Sequence, residues 1–121
     1  MKKKILIAED DESAKLLVTT YVKMIGCDFI VAKNGLEAVE LYRKNPDVDL
    51  ILMDIKMPEM NGHEATKEIR QFDKDIVIIA QTAFAMSGDK EKALESGCND
   101  YISKPYTLAK LTDLIEKYLN N

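Results

Sequence analysis

Glu9, Asp10, Asp54, Thr82 and Lys104 are the residues of this 121-residue sequence whose types and placement could do chemistry. Glu9-Asp10-Asp11 follows the apolar run Ile5-Leu6-Ile7-Ala8, and Asp54 follows the run from Asp49 to Met53. Gln81-Thr82 follows Ile76 to Ala80, and Lys104-Pro105 follows a weaker run from Asp100 to Ser103. If these runs are parallel strands of one sheet, their carboxyl ends meet at one edge and gather Glu9, Asp10 and Asp54. Two unit charges about 4 Å apart repel by roughly 4 kcal/mol at an effective dielectric of about 20, so a cation must offset the cluster. Oxygen ligands without His or Cys select a hard ion, and two carboxylates, a backbone carbonyl and waters suit octahedral Mg2+, with Mn2+ as a substitute.

Taken singly, each residue has a plainer reading. Asp11 and Glu12 read as a helix N-terminus, where acidic side chains complement the dipole. An Asp ending a buried strand is often a cap or turn residue, and a Lys before proline is usually a solvated loop charge. The combination is what points to a site.

The elements that must position these residues are legible in the same pattern. Continuous apolar runs fit strands buried on both faces, as in a parallel sheet covered by helices. A further strand is expected over 28–32. Between the runs lie helical patterns: Ala14, Leu17, Val18, Tyr21 and Ile25 share one face, with Gly26 as the stop. Asn34 with Glu37 reads as a capping box opening a helix around Val39. His63, the single histidine, is expected to begin a third helix rather than to act as a ligand or phosphodonor, and Ser87 caps a fourth that ends near Gly97. Thr107 caps the last, with Leu108, Leu111, Ile115 and Tyr118 as its stripe. Five strands alternating with five helices predict an α/β doubly wound parallel sheet, because parallel neighbours need right-handed crossovers. In such sheets ligands bind at the carboxyl ends of the strands.

The bulk numbers bound the function. A length of 121 residues suits one domain, and the 46% hydrophobic and 31% charged residues are ordinary for a soluble one. The net charge of −4 and pI of about 5.0 argue against direct nucleic-acid binding, which needs clustered Lys and Arg. Met1-Lys2-Lys3-Lys4 and the short run after it are too brief for a secretory signal, so a cytoplasmic protein without membrane insertion is expected. Cys27 and Cys98 have no metal-ligand spacing and are expected to be reduced thiols. Met57, Met60 and Met86 read as apolar fillers.

Across its whole length the sequence resembles the receiver domains of bacterial response regulators. The segment Met53-Asp54-Ile55-Lys56-Met57-Pro58-Glu59-Met60-Asn61-Gly62 is similar to the family's phosphoacceptor loop nearly letter for letter. Glu9-Asp10, Thr82-Ala83 and Lys104-Pro105 stand in family order. The resemblance implies one receiver domain over residues 1–121, a flavodoxin-like fold with strand order 2-1-3-4-5, and a switch in two-component phosphorelay signalling. It implies Asp54 as phosphoacceptor, Asp10 as a direct Mg2+ ligand, Glu9 as an outer one through water, and Lys56 as a ligand through its backbone carbonyl. Many relatives carry Asp where this chain has Glu9. Thr82 would bind a phosphoryl oxygen, and Lys104 would pair with the Asp54 carboxylate and later with the phosphoryl group, with Lys104-Pro105 a cis bond. Thr82 and Tyr101 would form the switch, reshaping the face of the fourth helix, fifth strand and fifth helix to which a downstream protein binds. Ala83 is small enough to leave an approach to Asp54, and Phe84 would tune dephosphorylation. The donor would be a sensor histidine kinase or a histidine phosphotransfer domain.

Such a domain catalyses its own phosphorylation and slow dephosphorylation and is not an enzyme acting on external substrates. A haloacid-dehalogenase-like phosphatase needs a second Asp where this chain has Lys56. A flavodoxin-like cofactor binder needs a Ser/Thr/Gly-rich phosphate loop where it has Glu9-Asp10-Asp11, whose charge repels phosphate. A degenerate receiver acting only as a protein-binding module stays as the alternative, opposed by the intact set of acids, Thr82 and Lys104. No output domain is expected in the sequence, so a stand-alone regulator, a shuttle and a receiver taken from a hybrid kinase all stay open; Ile79 to Met86 resembles the hybrid-kinase form.

Overall fold

A computed structural model describes residues 2–83 and 88–119. Strands β1 (Lys4–Ala8), β2 (Asp28–Ala32), β3 (Leu50–Asp54), β4 (Val77–Thr82) and β5 (Asp100–Ser103) alternate with helices α1 (Glu12–Ile25), α2 (Gly35–Lys44), α3 (Gly62–Phe72), α4 (Asp89–Ser96) and α5 (Leu108–Leu119). The sheet is parallel in the order β2-β1-β3-β4-β5, as expected. The continuous apolar runs are explained by burial on both faces: Ile5 to Ala8 and Leu50 to Met53 are all fully buried. Successive residues point to opposite faces. Leu6, Ile51, Met53 and Ile78 pack with Ala38, Ala65, Ile69 and Ala93 from α2, α3 and α4, whereas Ile5, Ile7, Leu50 and Ile79 pack with Val18, Val22, Leu111 and Ile115 from α1 and α5.

Most boundaries agree with the local chemistry. Asp11 caps α1 by accepting the Ala14 N–H at 2.8 Å, and Gly26 ends it in the left-handed region at φ 97°. Thr107 Oγ1 accepts from Lys110 N at 3.1 Å at the start of α5. Four details differ from expectation. Leu17 is 45% exposed, because the buried face of α1 centres on Val18 and Val22. Asn34 caps α2 through Glu37 N, but the Glu37 carboxylate accepts from Lys33 N rather than closing a reciprocal box. The full capping box belongs to Asn61 and Glu64, so α3 begins at Gly62, one residue before His63. Asp49 stays outside β3 because its carboxylate accepts from Lys4 N at 2.9 Å, and the strand runs on to include Asp54. Ser87, Phe84 and Met86 lie outside the described residues. Met57 is buried and Met60 packs against the core; Cys27 and Cys98 are both free thiols. Among the described residues no helix is long and apolar enough to cross a membrane.

The loop after β3 is folded back tightly. Gly62 N–H donates to Ile55 O at 2.9 Å, and a Cβ on Gly62 would fall 2.3 Å from the Asp54 carbonyl oxygen. Real Cβ atoms do not approach backbone so closely, so only glycine lets α3 start against the end of β3. Gly62→Ala is therefore expected to lower stability by about 2 kcal/mol or more, as overpacking of rigid backbone does. Urea denaturation checks this, and an unchanged midpoint would contradict the close approach.

Candidate functional site

The sheet register brings the strand ends together. Ala8 pairs with Met53, Asp54 with Gln81 and Thr82 with Ser103, so Glu9, Asp54, Thr82 and Lys104 gather at the carboxyl ends of neighbouring strands. They line one cavity of about 320 Å³ with Asp10, Lys56, Ala83 and Asp89. Carboxylate oxygens of Glu9, Asp10 and Asp54 lie within 4.8 Å of one another. Glu9 and Asp54 are buried and Asp10 is exposed, so the cluster opens to water through Asp10. With oxygen donors and neither His nor Cys in the group, it fits a hard divalent cation.

Lys104 answers part of this charge. Its Nζ lies 3.4 Å from Asp54 Oδ2, the ion pair expected from the sequence, and 2.7 Å from Glu9 Oε1, a second and closer partner that was not expected. The longer side chain of Glu, compared with Asp, carries its carboxylate out to the ammonium. The other oxygen of Glu9 accepts from Asp11 N at 3.3 Å, and Lys56 N donates to Asp54 Oδ1 at 3.3 Å. Burial and then the adjacent Glu9 carboxylate push Asp54 up to about 7, against the opposing pull of Lys104 and the Lys56 N–H. Burial works against the Lys104 ammonium, but Glu9 and Asp54 outweigh it and hold its pKa above the ordinary lysine value. A buried acid this resistant to ionisation, sitting in a cleft, marks a functional site.

Thr82 is buried at the end of β4 and donates its hydroxyl to Asp89 Oδ2 at 3.1 Å. Tyr101 does not line the cavity. It is half-buried on β5 against the core, with Lys90 Nζ 5.3 Å from its ring centre. Ala83 is exposed at the rim, and the Lys104-Pro105 bond is cis. His63 is half-buried on α3 with its pKa lowered by burial.

Two features escaped sequence reasoning. Asp89 was not singled out in the sequence, since nothing in the spacing joins it to Thr82. Gln81 is fully buried, and its side-chain oxygen accepts from Tyr106 OH at 2.5 Å. A glutamine inside an apolar strand was the available signal for such a partner. The Tyr106 ring lies 6.3 Å from that of Tyr21, so the bond ties the segment after β5 to both β4 and α1.

Known proteins are similar to this chain in sequence and in fold. The family model described as the response regulator receiver domain matches residues 5–116. The polar-differentiation response regulator DivK of Brucella anthropi is 42% identical over 123 residues, covering 100% of this chain and 99% of the relative. The receiver domain of sensor histidine kinase PA1611 from Pseudomonas aeruginosa, solved with magnesium in its active-site cleft, superposes with a TM-score of 0.93 at 31% identity, covering 100% of both chains. A chain from the Saccharomyces cerevisiae complex of the histidine phosphotransfer protein Ypd1 with the Ssk1 receiver domain gives a TM-score of 0.89 at 35% identity, covering 97% of this chain and 88% of that one. Sequence, sheet order and the acidic cleft agree: the chain belongs to the response-regulator receiver domains of two-component signalling.

Proposed function

We propose that the chain is a phosphoacceptor switch, with residues 1–121 acting as a single receiver unit in the cytoplasm, that takes a phosphoryl group onto Asp54 from a histidine kinase or a histidine phosphotransfer protein. The observation that carries this is the Asp54 carboxylate, buried beside two other acids with the Lys104 ammonium 3.4 Å away. An Asp54 Oδ attacks phosphorus, the P–N bond to the donor imidazole breaks, and the imidazole leaves with the bonding electrons. Such a transfer depends on positioning and on cancelling charge at the transferring oxygens. Mg2+ held by Asp10, Asp54, the Lys56 carbonyl and, through water, Glu9 would supply part of that cancellation, and Mn2+ can substitute. Lys104 supplies the rest from the chain itself, and Thr82 offers a hydroxyl proton. Thr82 and Tyr101 then bias the face of α4, β5 and α5 toward its downstream partner. The acyl phosphate is lost slowly to water, and no external substrate is turned over.

The donor side is supported by α1. Leu16 and Leu17 are 70% and 45% exposed, and Leu17 borders a largely apolar cavity of about 390 Å³ with Ala14, Pro105 and Tyr106, next to Lys104. A helical donor seated there would bring its phosphoimidazole to Asp54 past Ala83. The Ypd1 complex makes a histidine phosphotransfer protein a fitting occupant.

Acetyl phosphate should give a single Mg2+-dependent phosphoryl adduct on Asp54, located by intact mass and borohydride trapping, and none in Asp54→Ala. Retained labelling of that variant would overturn the assignment. Leu17→Asp should slow transfer from a phosphorylated histidine phosphotransfer protein by about tenfold or more, as loss of a central apolar contact does, while labelling by acetyl phosphate stays within about twofold. Equal loss with both donors would count against docking on α1.

The raised pKa of Asp54 also fixes a pH dependence. Between about pH 4, where an unfolded Asp ionises, and about 7, the metal-free native state holds a proton that the unfolded chain has released. This contribution is therefore complete below the lower value and lost as pH rises through the upper one. Metal-free protein should lose about 2 kcal/mol of this contribution across that window, after discounting for partial solvent access. Urea melts at pH 5 and 8 read the slope, which Asp54→Ala should flatten.

A further inference from the structure

Thr82 and Asp89 hold each other across the floor of the cleft, and the contact bears on how phosphorylation moves α4. A hydroxyl has one proton to donate. In this structure Thr82 Oγ1 gives it to Asp89 Oδ2 at 3.1 Å, and Asp89 lines the same cavity as Asp54. A phosphoryl group on Asp54 would present acceptor oxygens to the same hydroxyl and place new negative charge in a cavity that Asp89 already makes negative. Asp89 is also the first residue of α4, whose N-cap, Gly88, contributes no side-chain bond. The Asp89 carboxylate thus ties the front of the helix to β4. The next residue, Lys90, lies over the Tyr101 ring. A shift of the first turn of α4 is consequently felt at β5.

We propose that Asp89 is a positioning residue that holds the Thr82 hydroxyl away from the phosphoryl position in the unmodified protein, so that occupancy of Asp54 and the resting seat of α4 exclude one another. The inference rests on Asp54 as the acceptor. Phosphorylation moves the Thr82 proton from one anion to another. Asp89, having lost its donor and facing a second negative group, leaves the cavity and takes the first turn of α4 with it. The device is bistable because one proton cannot serve both acceptors.

The test compares wild type with Asp89→Ala, Asp89→Asn, Thr82→Val and the double variant Thr82→Val with Asp89→Ala. With acetyl phosphate and Mg2+, Asp89→Ala is expected to label about fivefold faster than wild type, the value of one modest hydrogen bond. Asp89→Asn, which keeps an acceptor for the hydroxyl but drops the charge, should fall between them, and the effect of Asp89→Ala should shrink in the Thr82→Val background. In the unmodified proteins, hydrogen exchange at the α4 first turn, including the Lys92 amide that bonds Gly88 O at 3.0 Å, should rise in Thr82→Val and in Asp89→Ala. The double variant should rise no further, the signature of a shared contact. Wild-type labelling rates in both Asp89 variants, or additive exchange in the double variant, would overturn the proposal. Failure of wild type itself to label would instead remove the phosphoacceptor reading, and the exchange cycle would still decide whether Thr82 and Asp89 are coupled.

Discussion

Mutual repulsion among Glu9, Asp10 and Asp54 is the constraint around which the rest of the site is arranged. Three carboxylates whose oxygens lie within 4.8 Å, two of them buried, set like charges against one another at short range. The protein meets this in parts. Lys104 reaches in from β5 to two of the acids, the Lys56 N–H bonds a third-strand oxygen, and Asp10 stays in water. The remaining imbalance shows in the upward shift of Asp54. A site left electrostatically incomplete in this way fits a hard cation, and a cation there would favour the ionised form of Asp54.

The cluster exists because the sheet is parallel and doubly wound. Every strand ends at the same edge, so residues far apart in sequence become neighbours by register alone: Asp54 beside Gln81, Thr82 beside Ser103, and Glu9 one step beyond the pairing of Ala8 with Met53. The hydrophobic cores on the two faces hold that register, since a slip by one residue would exchange the faces of Leu50 and Ile51. Close packing at Gly62 then fixes where the chain turns after Asp54. Stability of the core and accuracy of the site are thus one property, and a core substitution that shifts register acts on chemistry as well as on folding.

What was legible in the sequence followed from local pattern. Continuous apolar runs marked β1, β3 and β4, and the residues closing them named the cavity lining, because a buried strand can turn polar only where it leaves the core. Asp11, Gly26 and Thr107 announced helix ends through backbone needs met within a few residues. What was not legible depended on distance in the chain. The preference of Lys104 for Glu9 spans 95 positions, and that of Tyr106 for Gln81 spans 25. Asp89, only seven residues from Thr82, was hidden differently: an acid in the first turn of a helix is already explained by the dipole, so its second partner left no trace. The exposure of Leu17 was missed because apolar spacing alone does not show which edge of a helical stripe the core covers.

Glu9 illustrates how one methylene redistributes these forces. An Asp here would sit closer to the backbone, leaving Lys104 to Asp54. The longer Glu9 instead takes the ammonium at 2.7 Å and leaves Asp54 at 3.4 Å, so one half-buried cation serves two buried acids. Breaking a buried ion pair from one side leaves the other charge uncompensated, which is far more costly than the pair is stabilising. With Glu9 as a second anchor, Lys104 keeps a partner whether Asp54 is a carboxylate, a protonated acid or an acyl phosphate. Under the proposed function the lysine therefore need not be displaced when the charge on Asp54 changes. On the same reading the conformational response falls to the neutral Thr82 hydroxyl, which can change partners without leaving a charge unpaired.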